Sequence, residues 1–91
     1  MLPRLISVKP GKNYQLLLKY DNGEKRIFNV KPFISQPEFQ KLISKTFFHS
    51  VKVQDGVVSW AGNIKFTAET LYYRSTEYTN RFISSGLLLA L

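Results

Sequence analysis

Tyr14-Gln15-Leu16-Leu17-Leu18-Lys19-Tyr20-Asp21-Asn22-Gly23-Glu24-Lys25-Arg26-Ile27-Phe28-Asn29-Val30 is the stretch on which the fold of this 91-residue chain turns. Asn22-Gly23 stands between two runs of strand character. A two-residue type I′ hairpin needs positive φ at both central positions, and Asn followed by Gly meets that need at the smallest steric cost. With Asn22 and Gly23 as the loop, Leu18 is expected opposite Ile27, Leu17 opposite Phe28 and Gln15 opposite Val30. Lys19 then faces Arg26. Like charges directly across a strand pair are mildly unfavourable, and a bound phosphate would relieve them.

On the N-terminal side, Ile6 and Val8 alternate with Ser7 and Lys9, the period of a short strand. Pro10-Gly11 is a turn, because proline presets the first corner and glycine accepts positive φ at the second. On the C-terminal side, Ser35 and Glu38 have the spacing of a capping box. Ile34 and Phe39 match the hydrophobic staple that accompanies one. Phe39, Leu42, Ile43 and Phe47 would share one face of the helix, with Gln40, Lys41, Ser44 and Lys45 on the other.

Asp55-Gly56 predicts a second hairpin joining Val51–Gln54 to Val57–Trp60. After the turn residues Ala61-Gly62-Asn63 a short strand, Ile64–Phe66, is expected. Thr67 then reads as the N-cap of a second helix containing Leu71 and Tyr72, with Glu69 placed to complement the positive end of its dipole. Ser84-Ser85-Gly86 breaks the pattern before the terminal leucines. The predicted class is α+β: a small twisted antiparallel sheet built from hairpins, one short helix packed on it, and a C-terminal helix or tail. Residues 1–75 form a single domain, and residues 76–91 a C-terminal extension, helical or partly disordered.

Composition narrows the functional classes. The chain has no cysteine, which removes disulfides and thiolate ligands and fits a reducing, cytoplasmic setting. The start, Met1-Leu2-Pro3-Arg4, lacks the charge pattern of a signal peptide. No stretch approaches the roughly 18 apolar residues of a membrane span. Charge is lopsided: residues 1–45 hold nine basic and three acidic residues, whereas residues 46–91 hold four and three, so the net +7 lies mostly in the first half. A cationic half is the footprint of a nucleic-acid or acidic-protein partner, or simply a solvated surface.

Catalytic chemistry finds little to work with. His49 is the only histidine, with no nucleophile elbow or oxyanion signature around it. One imidazole, no thiol and six scattered carboxylates do not make a metal site. Asp21 and Asp55 belong to turns, and Glu38 and Glu69 to helix starts. The reading is of a protein that is not an enzyme and takes no cofactor, metal or small-molecule substrate. Two binding roles remain. Leu87, Leu88, Leu89 and Leu91 need an apolar cover and are candidates for self-association or a protein partner. Lys12, Lys19, Lys25, Arg26, Lys41 and Lys45 are candidate anion or nucleic-acid contacts, and Tyr14 and Tyr20 are candidates for base stacking.

The ordered set Ile6-Ser7-Val8-Lys9-Pro10, Tyr14-Gln15-Leu16-Leu17-Leu18, Tyr20-Asp21-Asn22-Gly23-Glu24, Phe28-Asn29-Val30-Lys31-Pro32, Val51 to Trp60, and Thr70-Leu71-Tyr72 resembles a bacterial family known as domain of unknown function 2442. The resemblance covers roughly residues 4–73 and departs after Tyr73. It implies a small α+β domain and no established activity. It also implies relatives that stand alone, are fused to a helix-turn-helix domain, or are encoded beside a second small protein in the manner of toxin–antitoxin pairs. The expectation is a regulatory, antitoxin-like interaction module acting through a protein partner, with nucleic-acid binding by the basic N-terminal half as the alternative.

Overall fold

The computed structural model describes residues 2–77. β1 (Leu5–Pro10), β2 (Gln15–Tyr20) and β3 (Lys25–Asn29) form an antiparallel meander. The β2–β3 hairpin is present, but its register is shifted by one residue from the expected one. Leu16 faces Phe28, Leu17 faces Ile27, Leu18 faces Arg26, and Lys19 faces Lys25 rather than Arg26. The loop is three residues, Asp21-Asn22-Gly23, closed by Tyr20 N–H donating to the Glu24 carbonyl at 2.9 Å and Gly23 N–H donating to the Tyr20 carbonyl at 3.0 Å. Only Gly23 carries positive φ (91°). The physical reason lies in the faces: the observed register puts Leu16 and Leu18 on the same side as Phe28, and all three are fully buried. A slip of one residue would have set Leu16 against Asn29 and turned Phe28 outward.

Lys31–Phe33 makes a single 3₁₀ turn, and a longer 3₁₀ helix covers Pro37–Ile43. The expected capping box does not form. Its N-cap is Gln36, extended at φ −79°, ψ 138°, with no side-chain cap. Pro37 explains this, because the residue before a proline is driven out of the helical region; Gln36 therefore cannot be the first residue of a helix capped by Ser35. The single amphipathic helix is also broken at Ser44, which is extended (φ −68°, ψ 120°) and starts α1 (Lys45–Phe48) by accepting from Phe47 N–H. Of the expected apolar face, Leu42 is fully buried and Phe39 and Phe47 pack on the core, but Ile43 is 53% exposed.

The next two turns follow the sequence signals. β4 (Lys52–Gln54) and β5 (Val57–Trp60) are joined by Asp55 and Gly56, both at positive φ (53° and 75°), and β6 (Ile64–Phe66) follows Ala61-Gly62-Asn63. Thr67 caps α2 (Ala68–Tyr73), its hydroxyl accepting from Thr70 N–H at 3.2 Å. The expected single sheet is in fact two, a four-stranded sheet in the order β1-β2-β3-β7 and a three-stranded sheet β4-β5-β6. β7 is Thr76–Glu77, so the first two residues assigned to the extension pair with Ile27 and Arg26 of β3.

The core fills the space between the two sheets. Phe66 of β6 reaches Phe28 of β3 (ring centroids 5.0 Å), stacks on Phe39 (4.9 Å) and meets Phe33 edge-on (5.0 Å). The Trp60 indole N–H donates to the Phe48 carbonyl at 2.9 Å, so the buried indole keeps a partner. Each fully buried leucine stabilises the fold by roughly 1.5–3 kcal/mol. Leu71 uses that burial to hold α2 down, which sets Tyr72 against the four-stranded sheet.

Candidate functional site

The six cations singled out in the sequence fall into four places. Arg26 lies on the inner face of the four-stranded sheet. Lys19 and Lys25 face each other on its outer side. Lys41 is exposed, its Nζ 3.6 Å from where a side chain at Gly62 would begin. Lys12 and Lys45 line one groove together with His49. Leu87, Leu88, Leu89 and Leu91 lie outside the described residues. Among the described residues no group of three or more His, Asp or Glu is gathered closely enough to hold a metal ion.

Arg26 is engaged from within the chain. Its Nε donates to Ser75 Oγ at 2.6 Å and an Nη to the Ser75 carbonyl at 3.0 Å, while the other Nη lies 3.6 Å from Glu24 Oε1. Its guanidinium sits 4.4 Å above the Tyr72 ring. Tyr72 O–H in turn donates to the Glu24 carboxylate at 2.8 Å. The Asn22 amide, then the Tyr72 hydroxyl, hold the Glu24 carboxyl below its ordinary range; the same bond to Glu24 pushes Tyr72 up. Beside them Tyr20 is buried, its hydroxyl has no hydrogen-bond partner, and burial pushes it up to about 12. The cluster fastens α2 and β7 to β3.

The outer face of the same sheet has an apolar centre and a cationic rim. Leu17 is 37% exposed and Ile27 is half-buried opposite it, while Ile6, 51% exposed, is the unpaired bulge residue of β1, beyond the row of Ser7, Lys19 and Lys25. Lys9 pairs with Leu17, and Lys19 with Ser7, placing Lys9, Lys19 and Lys25 around that centre. Alternation alone could have found this face, had the register been right.

The groove is built from two distant segments. Gly11–Tyr14 forms a tight turn between β1 and β2, and α1 lies beside it; Pro10, Gly11, Lys12, Asn13, Tyr14, Lys45, Phe48 and His49 line a concavity of about 670 Å³. Two consecutive residues of the turn, Asn13 (φ 55°) and Tyr14 (φ 60°), are left-handed. His49 is exposed at the end of α1, where its backbone N–H donates to the Lys45 carbonyl at 3.0 Å and the next residue, Ser50, donates to the Phe47 carbonyl. Sequence reasoning gave His49 no partner, because nothing local predicts that α1 comes to rest against the β1–β2 turn.

Two hairpin-built sheets enclosing one aromatic core, with cationic surfaces left open, define a small α+β domain. A model of the family described as "Protein of unknown function (DUF2442)" matches residues 5–77, and the chain belongs to that family. The match runs through β7, four residues beyond the resemblance that ended at Tyr73. No curated protein and no solved structure matches the chain.

Proposed function

We propose that the protein is a non-enzymatic cytoplasmic interaction module that docks an acidic protein partner on the outer face of its four-stranded sheet. The supporting observation is that face itself: Leu17, 37% exposed, beside Ile27 at the centre, with Lys9, Lys19 and Lys25 around them. An apolar centre within a charged rim is the anatomy of a protein interface, and the rim's sign selects an acidic partner. The regulatory, antitoxin-like role implied by the family resemblance is the concrete form of this reading. No helix among the described residues is long and apolar enough to cross a membrane.

The test is native co-purification of the full chain beside Leu17→Glu, with thermal unfolding of the variant showing that it still folds. An acidic protein held at unit stoichiometry by the parent and lost from the variant is the expected result. Equal retention by both, or no partner at all, overturns the reading. Nucleic-acid binding is the second reading, favoured by Lys19 lying directly opposite Lys25, a juxtaposition that a phosphate would neutralise. A filter-binding titration over salt decides it: absence of affinity for duplex and single strands at low salt ends that reading.

A further inference from the structure

We propose that the groove between the Gly11–Tyr14 turn and α1 binds the phosphate group of a small phosphorylated molecule, with Lys12, Lys45 and His49 as its donors. This site is separate from the outer sheet face and does not depend on the docking role proposed for it.

Charge is the first argument. Three nitrogen bases line the groove and no carboxylate does. The ion pair found among the described residues, Arg26 with Glu24, involves none of them. A phosphate monoester carries roughly −1.5 to −2 charges and three strong acceptor oxygens, which suits two ammonium groups and an imidazole better than a single carboxylate would.

Rigidity is the second. Left-handed φ at a tyrosine is a costly conformation that persists only where the surroundings over-determine it, and such strain gathers at ligand sites. Here the determinants are visible. The Tyr14 hydroxyl donates to the Ile43 carbonyl, its ring meets Phe48 edge-on at 5.3 Å, and its carbonyl accepts from Val30 N–H at 2.9 Å. Gly11 N–H closes the turn on the Gln15 carbonyl at 2.7 Å. Tyr14 therefore braces the turn that carries Lys12 against the segment that carries Lys45 and His49. The donors' backbones are fixed relative to one another before any ligand arrives, which lowers the ordering cost of binding.

Size and shape are the third. The concavity of about 670 Å³ is that of a small-molecule site and far exceeds the needs of one phosphate, so an organic portion has room beside Pro10 and Tyr14. The groove is also a single locus. Lys19 and Lys25 lie on the outer sheet face, and Arg26 is turned inward, so the lysines do not form the continuous track that a polymer backbone follows.

The experiment is a titration of the ¹⁵N-labelled full chain with phenyl phosphate, inorganic phosphate and a single-stranded thymidine oligonucleotide at constant ionic strength. Saturable shifts centred on residues 11–14 and 45–49, tighter for phenyl phosphate than for inorganic phosphate, are expected. The double change Lys12→Gln, Lys45→Gln should weaken phenyl phosphate about tenfold or more, since two charge-assisted hydrogen bonds are lost. Lys19→Gln with Lys25→Gln should leave it unchanged. Shifts scattered over lysines of the whole surface, or a double variant that titrates like the parent, overturn the site. Oligonucleotide binding tighter than phenyl phosphate, or inorganic phosphate binding as tightly as the ester, overturns the small-molecule assignment.

Discussion

Around Arg26 each charge is answered from inside the chain; around Lys12, Lys45 and His49 none is among the described residues. The guanidinium meets a serine hydroxyl, a backbone carbonyl, a carboxylate and an aromatic face, while the groove gathers its bases with no carboxylate among its lining. Both constellations join residues from the two halves of the chain, and neither sits on one continuous element. A charged group that is paired and hydrogen-bonded in a half-buried site acts as a fastener whose removal strands its partners. One left unpaired at a groove contributes little to folding and is available for a ligand. Deleting charges one region at a time turns that contrast into numbers.

The largest effect is expected at Arg26. Arg26→Ala should lower stability by about 1–3 kcal/mol, because the Ser75 hydroxyl and carbonyl lose their donors and the Tyr72 ring loses its stacked guanidinium. Urea unfolding gives the magnitude, and amide exchange at Ile27 and Thr76 should show β7 loosening. Arg26→Lys should not restore the parent, since an ammonium cannot reproduce the fork to Ser75 or the stacked plane over Tyr72. The cluster also has an acid limit. The Glu24 carboxyl is held below its ordinary value of 4.5 by Asn22 and Tyr72, so the folded state releases its proton more readily than the unfolded chain. Its contribution is present above that value and is lost as pH falls through the depressed one. Asn22→Ala should reduce this part of the acid loss.

Arg26 also shows where the sequence was legible and where it was not. The turns Asn22-Gly23 and Asp55-Gly56, the Thr67 cap and the α+β class are local matters, and local chemistry announces them. The one-residue register is not local. Asn-Gly suits a two-residue loop, and it equally suits a three-residue loop with only Gly23 left-handed. The pairing of Leu16 and Leu18 with Phe28 on a single buried face chose between them. That choice moved Arg26 from a supposed clash with Lys19 on the surface to the inner face opposite Leu18. Ser35 and Glu38 misled for a different reason: the spacing of a capping box was there, but Pro37 between them forbids the helical conformation at Gln36 that the box requires. Lys12, Lys45 and His49 could not be joined by any pattern, since their proximity depends on where α1 packs.

A middle-sized effect tests the strain in the groove wall. Asn13 is left-handed at φ 55°, ψ 37°, a conformation that asparagine tolerates and a β-branched residue does not. Asn13→Val should lower stability by about 1–2 kcal/mol, with Asn13→Gly close to the parent. Thermal unfolding of the pair checks this. Equal stability of the valine variant would mean that the turn relaxes freely, and the groove would then lack the rigid wall that separates it from an ordinary lysine surface.

Tyr20 is the flaw in the otherwise satisfied cluster. Its hydroxyl is buried without a partner, so Tyr20→Phe should raise stability by about 1 kcal/mol, the desolvation cost of an unmade hydrogen bond. Alkaline titration gives a second reading of the same group. Burial is the main cause raising its value from 10.0 to about 12, opposed by the Arg26 charge and reinforced by Tyr72 and Glu24. Through that interval the unfolded chain loses the proton first, so stability falls as pH rises. The phenylalanine variant should lack this share of the fall.

The smallest effect carries the most information about the comparison. Lys12→Gln and Lys45→Gln, singly or together, should change stability by less than about 0.5 kcal/mol, as exposed substitutions without a partner do. A slight gain is consistent with relieving self-repulsion in a chain of net charge +7. Set beside Arg26→Ala, the same loss of positive charge would then cost several-fold less. Chemical denaturation of the double variant measures this directly. A loss above about 1 kcal/mol would make these lysines structural, which is incompatible with donors held open for a ligand. A loss near zero that coincides with failure to bind phenyl phosphate would separate the two roles cleanly, because folding and binding would then respond to different cations, one turned inward and two at the groove.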